Sequence, residues 1–301
     1  MKFLQFLKSN YKDDAEVETL FDNVIALFKY LQDKDVFENY YKIHLSKRLL
    51  LQRMQPAQQQ ETEKLFITKL KRECGHGFTS KIEGMLNDMR LSRDNMELFR
   101  EHKVFNLKDP SIDLNVNILT ASFWPAYTIG QAALPAEMES CCTAFAAYYN
   151  DAHSGRKITW QKNLGDGVMI ARFPFGKHEI VATTHQMIVL LVFNRQNELT
   201  YKELQNATQI PDKDLKRCLL TLCLGKNKLL SKEFKTKTVE DEEKFQWNAK
   251  FKSSTIRIKV SGYMGYILIS PFHVTESREP FGNALQNAAI PASKPGVSEQ
   301  M

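Results

Sequence analysis

The apolar residues of this chain change period once, and that change limits what it can fold into. Over residues 14–105 they recur at three- and four-residue steps. Val17, Leu20, Phe21, Val24, Leu27, Phe28 and Leu31 fall on one helical face. A second helix starts near Asp35, where a carboxylate suits the free amides of a first turn. It carries Val36, Phe37, Tyr40, Tyr41 and Leu45 and ends on Lys47-Arg48, cations at the negative end of the helix dipole. Gln55-Pro56 interrupts the pattern. A third helix runs through Leu65, Phe66 and Leu70, and Phe78, Ile82, Met85, Leu86 and Met89 take up the spacing again. Helices with stripes this wide, joined by short loops, pack as a bundle.

From residue 112 the elements shorten. Val116 to Leu119 is a strand, ended by Phe123-Trp124-Pro125. Pro135 to Tyr149 is a helix with proline near its first turn. His153-Ser154-Gly155-Arg156 is a turn, and strands follow at Ile158–Trp160, Val168–Phe173 and Glu179–Thr183. Residues 184–260 predict a winged helix. His185–Phe193 is its first helix, the capping box Thr200-Tyr201-Lys202-Glu203 opens the second, and Ile210-Pro211-Asp212 starts the third. In that third helix Leu215, Cys218, Leu219 and Leu222 form the buried face. Lys228–Leu230 and Lys244–Val260 supply the wing strands. The expected architecture is therefore multidomain, α followed by α/β: a four-helix bundle at 14–108, a small α/β domain with a mixed sheet at 109–183, and a winged helix at 184–260. Residues 261–301 belong to none of these. Tyr263–Ser270 is strand-like, and Pro271–Met301 is aperiodic, rich in Pro, Ser, Ala and Gly, and expected to be disordered.

Composition narrows the function more than the fold. Of 301 residues 43% are hydrophobic and 25% charged, enough to bury real cores. The net charge of +6 is spread thinly and permits an acidic partner without demanding one. Five cysteines without framework spacing indicate a reducing compartment, cytoplasm or nucleus. No apolar run reaches the roughly 18 residues a membrane helix needs, and the first seven residues do not make a signal peptide.

A catalytic constellation is not apparent. Cys74-Gly75-His76 lacks two further ligands at metal spacing and reads as a buried thiol beside a helix kink. Cys218 and Cys223 share a helix with Leu219 and Leu222 and read as core. His44, His153, His178 and His185 have no acid or nucleophile at a recognisable spacing. Gly165-Asp166-Gly167 lacks the Lys-Ser/Thr of a phosphate loop, and Glu240–Glu243 reads as a solvated turn between wing strands. No cofactor and no metal is expected. Lys213, Lys216 and Arg217 lie on the outer face of the third winged-helix helix, which in a DNA reader enters the major groove. A winged-helix nucleic-acid binder is thus the alternative reading, although this face lacks the Asn, Gln, Arg and Ser cluster that reads base edges.

Several strings, in order along residues 14–260, resemble the homology region of the cullins. They are Asp33-Lys34-Asp35-Val36-Phe37 with Tyr40-Tyr41 and Leu45-Ser46-Lys47-Arg48-Leu49-Leu50, then Lys69–Gly75 and Phe78–Met85. Val116–Thr120 with Trp124-Pro125, Leu134-Pro135, Tyr148-Tyr149 before His153–Lys157, and Thr184 with Gln186-Met187 complete the series. Each string is weak and the ordered set is specific. The resemblance implies a non-catalytic ubiquitin-ligase scaffold whose α/β domain takes up an extended strand from a zinc-bearing RING-box protein. That protein recruits the ubiquitin-conjugating enzyme, so the scaffold acts through proximity. A cullin-associated exchange factor is a further implied partner; no membrane and no specific nucleic acid is expected. Candidate RING contacts are regional: Val116, Ile118, Leu119, Trp124, Ile158, Trp160 and Phe173, each of which is equally readable as core. Ile118→Pro is expected to abolish capture by removing a ladder donor. Two family parts are not found. Of the long N-terminal repeats that bind an adaptor the resemblance implies only a remnant, at 1–13, and the terminal winged helix with its "IVRIMK"-like string has no counterpart, so no neddylation lysine is expected.

Overall fold

The computed structural model describes residues 14–51, 57–101, 112–127, 130–234, 236–260 and 273–278. Four helices come first: α1 (Asp14–Lys29), α2 (Lys34–Leu51), α3 (Ala57–Cys74) and α4 (His76–Glu101). The sequence stripes become their contacts. Phe21, Ile25 and Phe28 of α1 pack on Phe66 and Leu70 of α3, with the Phe21 and Phe66 rings 5.0 Å apart. The kink expected at Cys74-Gly75 is a complete helix end, and the Cys74 thiol, expected to be buried, is only half-buried. Gly75 adopts φ +80°, a left-handed conformation that costs glycine little, and its amide donates to the Lys71 carbonyl at 2.9 Å. Between α2 and α3 lies a buried ion pair. Arg48 Nη2 donates to Glu63 Oε2 at 3.1 Å and the Tyr41 hydroxyl donates to the same oxygen at 2.9 Å. Burial, together with the Glu63 charge, pushes the Tyr41 phenol well above its usual range.

The next elements are β1 (Asn117–Thr120), α5 (Ala136–Ala152), β2 (Arg156–Gln161), and the hairpin of β3 (Asp166–Phe173) with β4 (Gly176–Thr183). Gly155, at φ +76°, makes the tight turn from α5 into β2. α6 (Thr184–Val192), β5 (Glu198–Thr200), α7 (Tyr201–Thr208), α8 (Asp212–Leu224), β6 (Leu230–Lys232) and β7 (Lys244–Trp247) then form one unit, its antiparallel sheet ordered β5-β7-β6. The expected capping box at Thr200 is present, with Glu203 Oε2 accepting from the Thr200 amide at 2.8 Å. A second box, Thr183 with Gln186, opens α6. Ile188 and Val189 of α6, Leu204 of α7, and Leu215, Leu219 and Leu222 of α8 share a core with Phe245 of β7 and Ile180 of β4.

Several sequence expectations are corrected here. Lys244–Val260 does not form a wing strand throughout: β8 (Arg257–Lys259) leaves that sheet and runs parallel to β4, in the order β3-β4-β8. Glu240–Glu243 is not wholly solvated. The Glu243 side chain is 3% exposed and lies 3.0 Å from Lys232 Nζ, which is 2% exposed, so this turn is pinned by a buried ion pair. Residues 273–278, within the stretch expected to be disordered, form β9 (His273–Arg278). The strand-like Tyr263–Ser270 lies outside the described residues, as does the 1–13 remnant. None of the described helices is long and apolar enough to cross a membrane.

Candidate functional site: a one-strand gap between β1 and β2

The site begins with a polar interruption of the apolar stripe on α4. Asp88, Ser92 and Met96, four residues apart, are all buried. Four residues of α-helix rise about 6 Å, close to the roughly 6.6 Å between alternate residues of a strand. This match lets one helix face address every second amide of β1 and its lead-in. Thr120 N donates to Asp88 Oδ2 at 2.8 Å, Ile118 N to Ser92 Oγ at 2.8 Å, and Val116 N to Met96 Sδ at 3.3 Å. Asp88 also accepts from Thr120 Oγ1 at 3.0 Å and from the buried indole Nε1 of Trp124 at 2.7 Å. One edge of β1 is therefore closed by helix side chains. The alternate amides, of Asn117 and Leu119, point to the other edge.

That other edge does not meet β2 directly. The sheet order is β1-β9-β2, with β9 parallel to β1 and antiparallel to β2. Neighbouring strands stand about 4.8 Å apart, so β1 and β2 flank a gap one strand wide. The buried backbone of β1 requires partners there, while β2 is at most half-buried apart from Gln161. Above this gap Ile118, Ile158 and Trp160 pack toward α5, and Trp160 meets the Phe145 ring edge-on at 6.1 Å. On the opposite side Leu119 packs with Ile82 and Met85 of α4 and with Trp124. Gly84 of α4 permits the Phe123 ring to lie against the helix, since a Cβ there would overlap the ring. At the Thr120–Arg156 end, a cavity of about 640 Å³ opens between Asp88, Ile118, Phe123, Tyr149 and Arg156.

The seven candidate contact residues divide. Val116, Ile118, Ile158 and Trp160 meet in one cluster, and Leu119 and Trp124 lie in the adjoining one. Phe173 is elsewhere: it belongs to the α6–α8 core and stacks on Trp247 at 4.7 Å. Val116 precedes β1 rather than lying in it. The rationale for Ile118→Pro also needs correction, because the Ile118 amide bonds Ser92 and is not a donor to the gap. Asp88 and Ser92 escaped the sequence reading. Their only signal was two polar residues on the buried stripe of α4, between Met85 and Met96.

Chemistry elsewhere is sparse. Cys141, Cys142, Cys218 and Cys223 are buried free thiols, and burial pushes Cys142 and Cys223 up to about 12, away from nucleophilic character. Among the described residues no group of three or more His, Cys, Asp or Glu could hold a metal ion. Of the cations on α8, Lys216 lies 2.9 Å from Asp212 and Arg217 lies 3.9 Å from Asp214. Two of the three charges singled out for nucleic acid are thus paired within their own helix.

Comparison with known proteins agrees with the ordered strings. Residues 3–96 match the family model described as the cullin alpha solenoid domain, and residues 118–251 match the cullin alpha+beta domain. Cullin-3 of Dictyostelium discoideum is 41% identical over 282 residues, covering 82% of this chain and 36% of that protein. Cullin-4A of Mus musculus is 43% identical over 248 residues, covering 82% and 32%. Cullin-3A of Arabidopsis thaliana is 43% identical over 249 residues, covering 82% and 33%. The chain spans about a third of the length of these relatives. By two successive domain matches and by this identity, the chain belongs to the cullin family.

Proposed function

We propose that this chain is a non-catalytic scaffold of a ubiquitin ligase, acting in cytoplasm and nucleus, and that it takes an extended strand of a RING-box protein into the gap between β1 and β2. The observation that supports this reading is the place between β1 and β2 that admits one strand; the chain's own β9 occupies it, so capture of a partner strand there requires that β9 leave. One side of β1 is closed by Asp88 and Ser92, so strand addition to β1 has a single place to occur, and a strand there pairs on both sides. Six of the seven candidate residues border it or back it. We read α6–α8 with β5–β7 as a winged helix in an architectural role, consistent with the paired cations of α8. The captured protein would carry the ubiquitin-conjugating enzyme, and the rigid frame would set its distance from a substrate.

Titration with a zinc-loaded RING-box protein tests this, read by amide exchange. A one-to-one complex is expected, with altered protection confined to segments 117–120, 156–161 and 273–278. Absence of a complex, both for this chain and for a variant with prolines in β9, sinks the reading.

A further inference from the structure

The strand now lying in the gap belongs to the chain itself. We propose that residues 273–278 are a tethered occupant of the β1–β2 gap, which any partner strand must displace, so that the chain regulates its own docking site. This inference rests on the strand-capture reading above and adds a competitor to it.

Three observations support it. The first is that β9 is central: it pairs with β1 through Asn117–Thr120 and with β2 through Arg156–Gln161. Its backbone satisfies both edges that an incoming strand would need, so the two cannot be bound together. The second is the tether. β9 follows Val260 through residues 261–272, and a short intramolecular link gives an effective concentration on the order of millimolar. A weakly fitting segment held that way still occupies its site.

The third observation is the fit, which is imperfect by register. Val274 is level with Ile118 and Trp160, an apolar row, and Thr275 is level with Leu119 and Thr159. Glu276, however, is level with Ile158, and Arg278 stands opposite Arg156. An acidic residue beside an apolar one, and like charges at opposed positions, weaken cross-strand pairing. β9 satisfies the backbone on both sides, and its register sets Glu276 level with Thr120 as well as Ile158 and Arg278 level with Arg156. A strand with apolar or β-branched residues at the 274 and 276 levels makes the same main-chain bonds with better partners, and so displaces it. The apparent affinity for such a strand falls by the fraction of chains in which the gap is free.

The test uses the full chain throughout. In Thr159→Cys with Thr275→Cys, register partners across β2 and β9, oxidation is expected to give a disulfide within one chain, identified by mass spectrometry of the linked peptides. No link, or a link only between two chains, overturns the proposal. Val274→Pro with Glu276→Pro removes two amide donors from a central strand. This variant is expected to bind a labelled peptide of residues 271–280 that the parent chain excludes, and to bind RING-box protein at least roughly tenfold more tightly. Unchanged peptide binding overturns the proposal. In the cysteine pair, oxidation should abolish RING-box binding and reductant should restore it. If RING-box protein binds none of these chains while the intrachain link and the peptide exclusion stand, strand capture of that protein fails and the self-occupied gap survives.

Discussion

Replacing Asp88 with alanine should loosen β1 more than any comparable change on the surface of α4. The carboxylate accepts from Thr120 N at 2.8 Å, Thr120 Oγ1 at 3.0 Å and Trp124 Nε1 at 2.7 Å. The Thr120 hydroxyl is half-buried and can turn to water. The Trp124 indole, on a residue only 3% exposed, and the Thr120 amide cannot do so without opening the structure. Each orphaned buried donor costs about 1–3 kcal/mol. Removing a buried carboxylate also returns part of its desolvation cost, so a net loss of about 2–4 kcal/mol is expected. At about 1.4 kcal/mol per factor of ten, amide exchange in segment 112–127 should accelerate about thirtyfold or more, since this loss falls on local opening. Asp88→Asn should show a smaller effect, because it keeps one acceptor oxygen but turns an amide group on donors. Asp94→Ala on the same helix removes only an exposed pair with Arg90 at 3.2 Å and should change exchange by less than about 0.5 kcal/mol. Exchange in 112–127 that responds no more to Asp88→Ala than to Asp94→Ala would refute the docking of β1 by α4.

Three further outcomes follow from the structure. Gly84→Ala places a methyl group against the Phe123 ring and should cost about 1–3 kcal/mol of stability by urea unfolding, with Phe123→Leu partly rescuing it. Glu63→Ala leaves the Arg48 cation, 13% exposed, without its carboxylate, and should lower stability by about 3–5 kcal/mol, with the Tyr41 phenol titrating closer to its usual range. Burial holds the His185 imidazole below its usual range, against a smaller opposing pull from Asp214. The unfolded chain therefore takes a proton near pH 6.5 that the folded chain refuses, and stability is kept above that pH and lost as pH falls below it toward the folded value. His185→Gln should flatten the pH dependence of unfolding below about pH 6.5; an unchanged slope would assign the acid sensitivity elsewhere.

The helices were legible because their apolar residues repeat with the helical period and their ends carry local chemistry. Gly75 and the Thr200 capping box lie where the sequence puts them. Strands were legible one by one, but their partners were not, since pairing depends on residues far apart in sequence. Arg257–Lys259 reads as a continuation of the wing and instead pairs with β4. β9 was hidden more deeply. Only one of its six residues, Val274, is apolar, so no alternation marks it, and its structure comes from two neighbouring backbones rather than from its own pattern. The candidate contact residues were found by type and placed by topology: Trp160 and Ile118 come together, while Phe173 packs in a different core. Asp88 and Ser92 show the limit most clearly. A polar residue on a buried face is a question that sequence can raise, and only the facing strand answers it.

Helix α4 extends over 26 residues, about 39 Å. One end packs in the bundle through Ile82 and Met85, and further along it grips β1 through side chains at fixed axial intervals. No hinge separates the two functions. A load applied to a polypeptide held beside β1 would pass along this strut to the bundle without an intervening joint. The angle at which any such cargo is presented is thereby written into the pitch of a single helix.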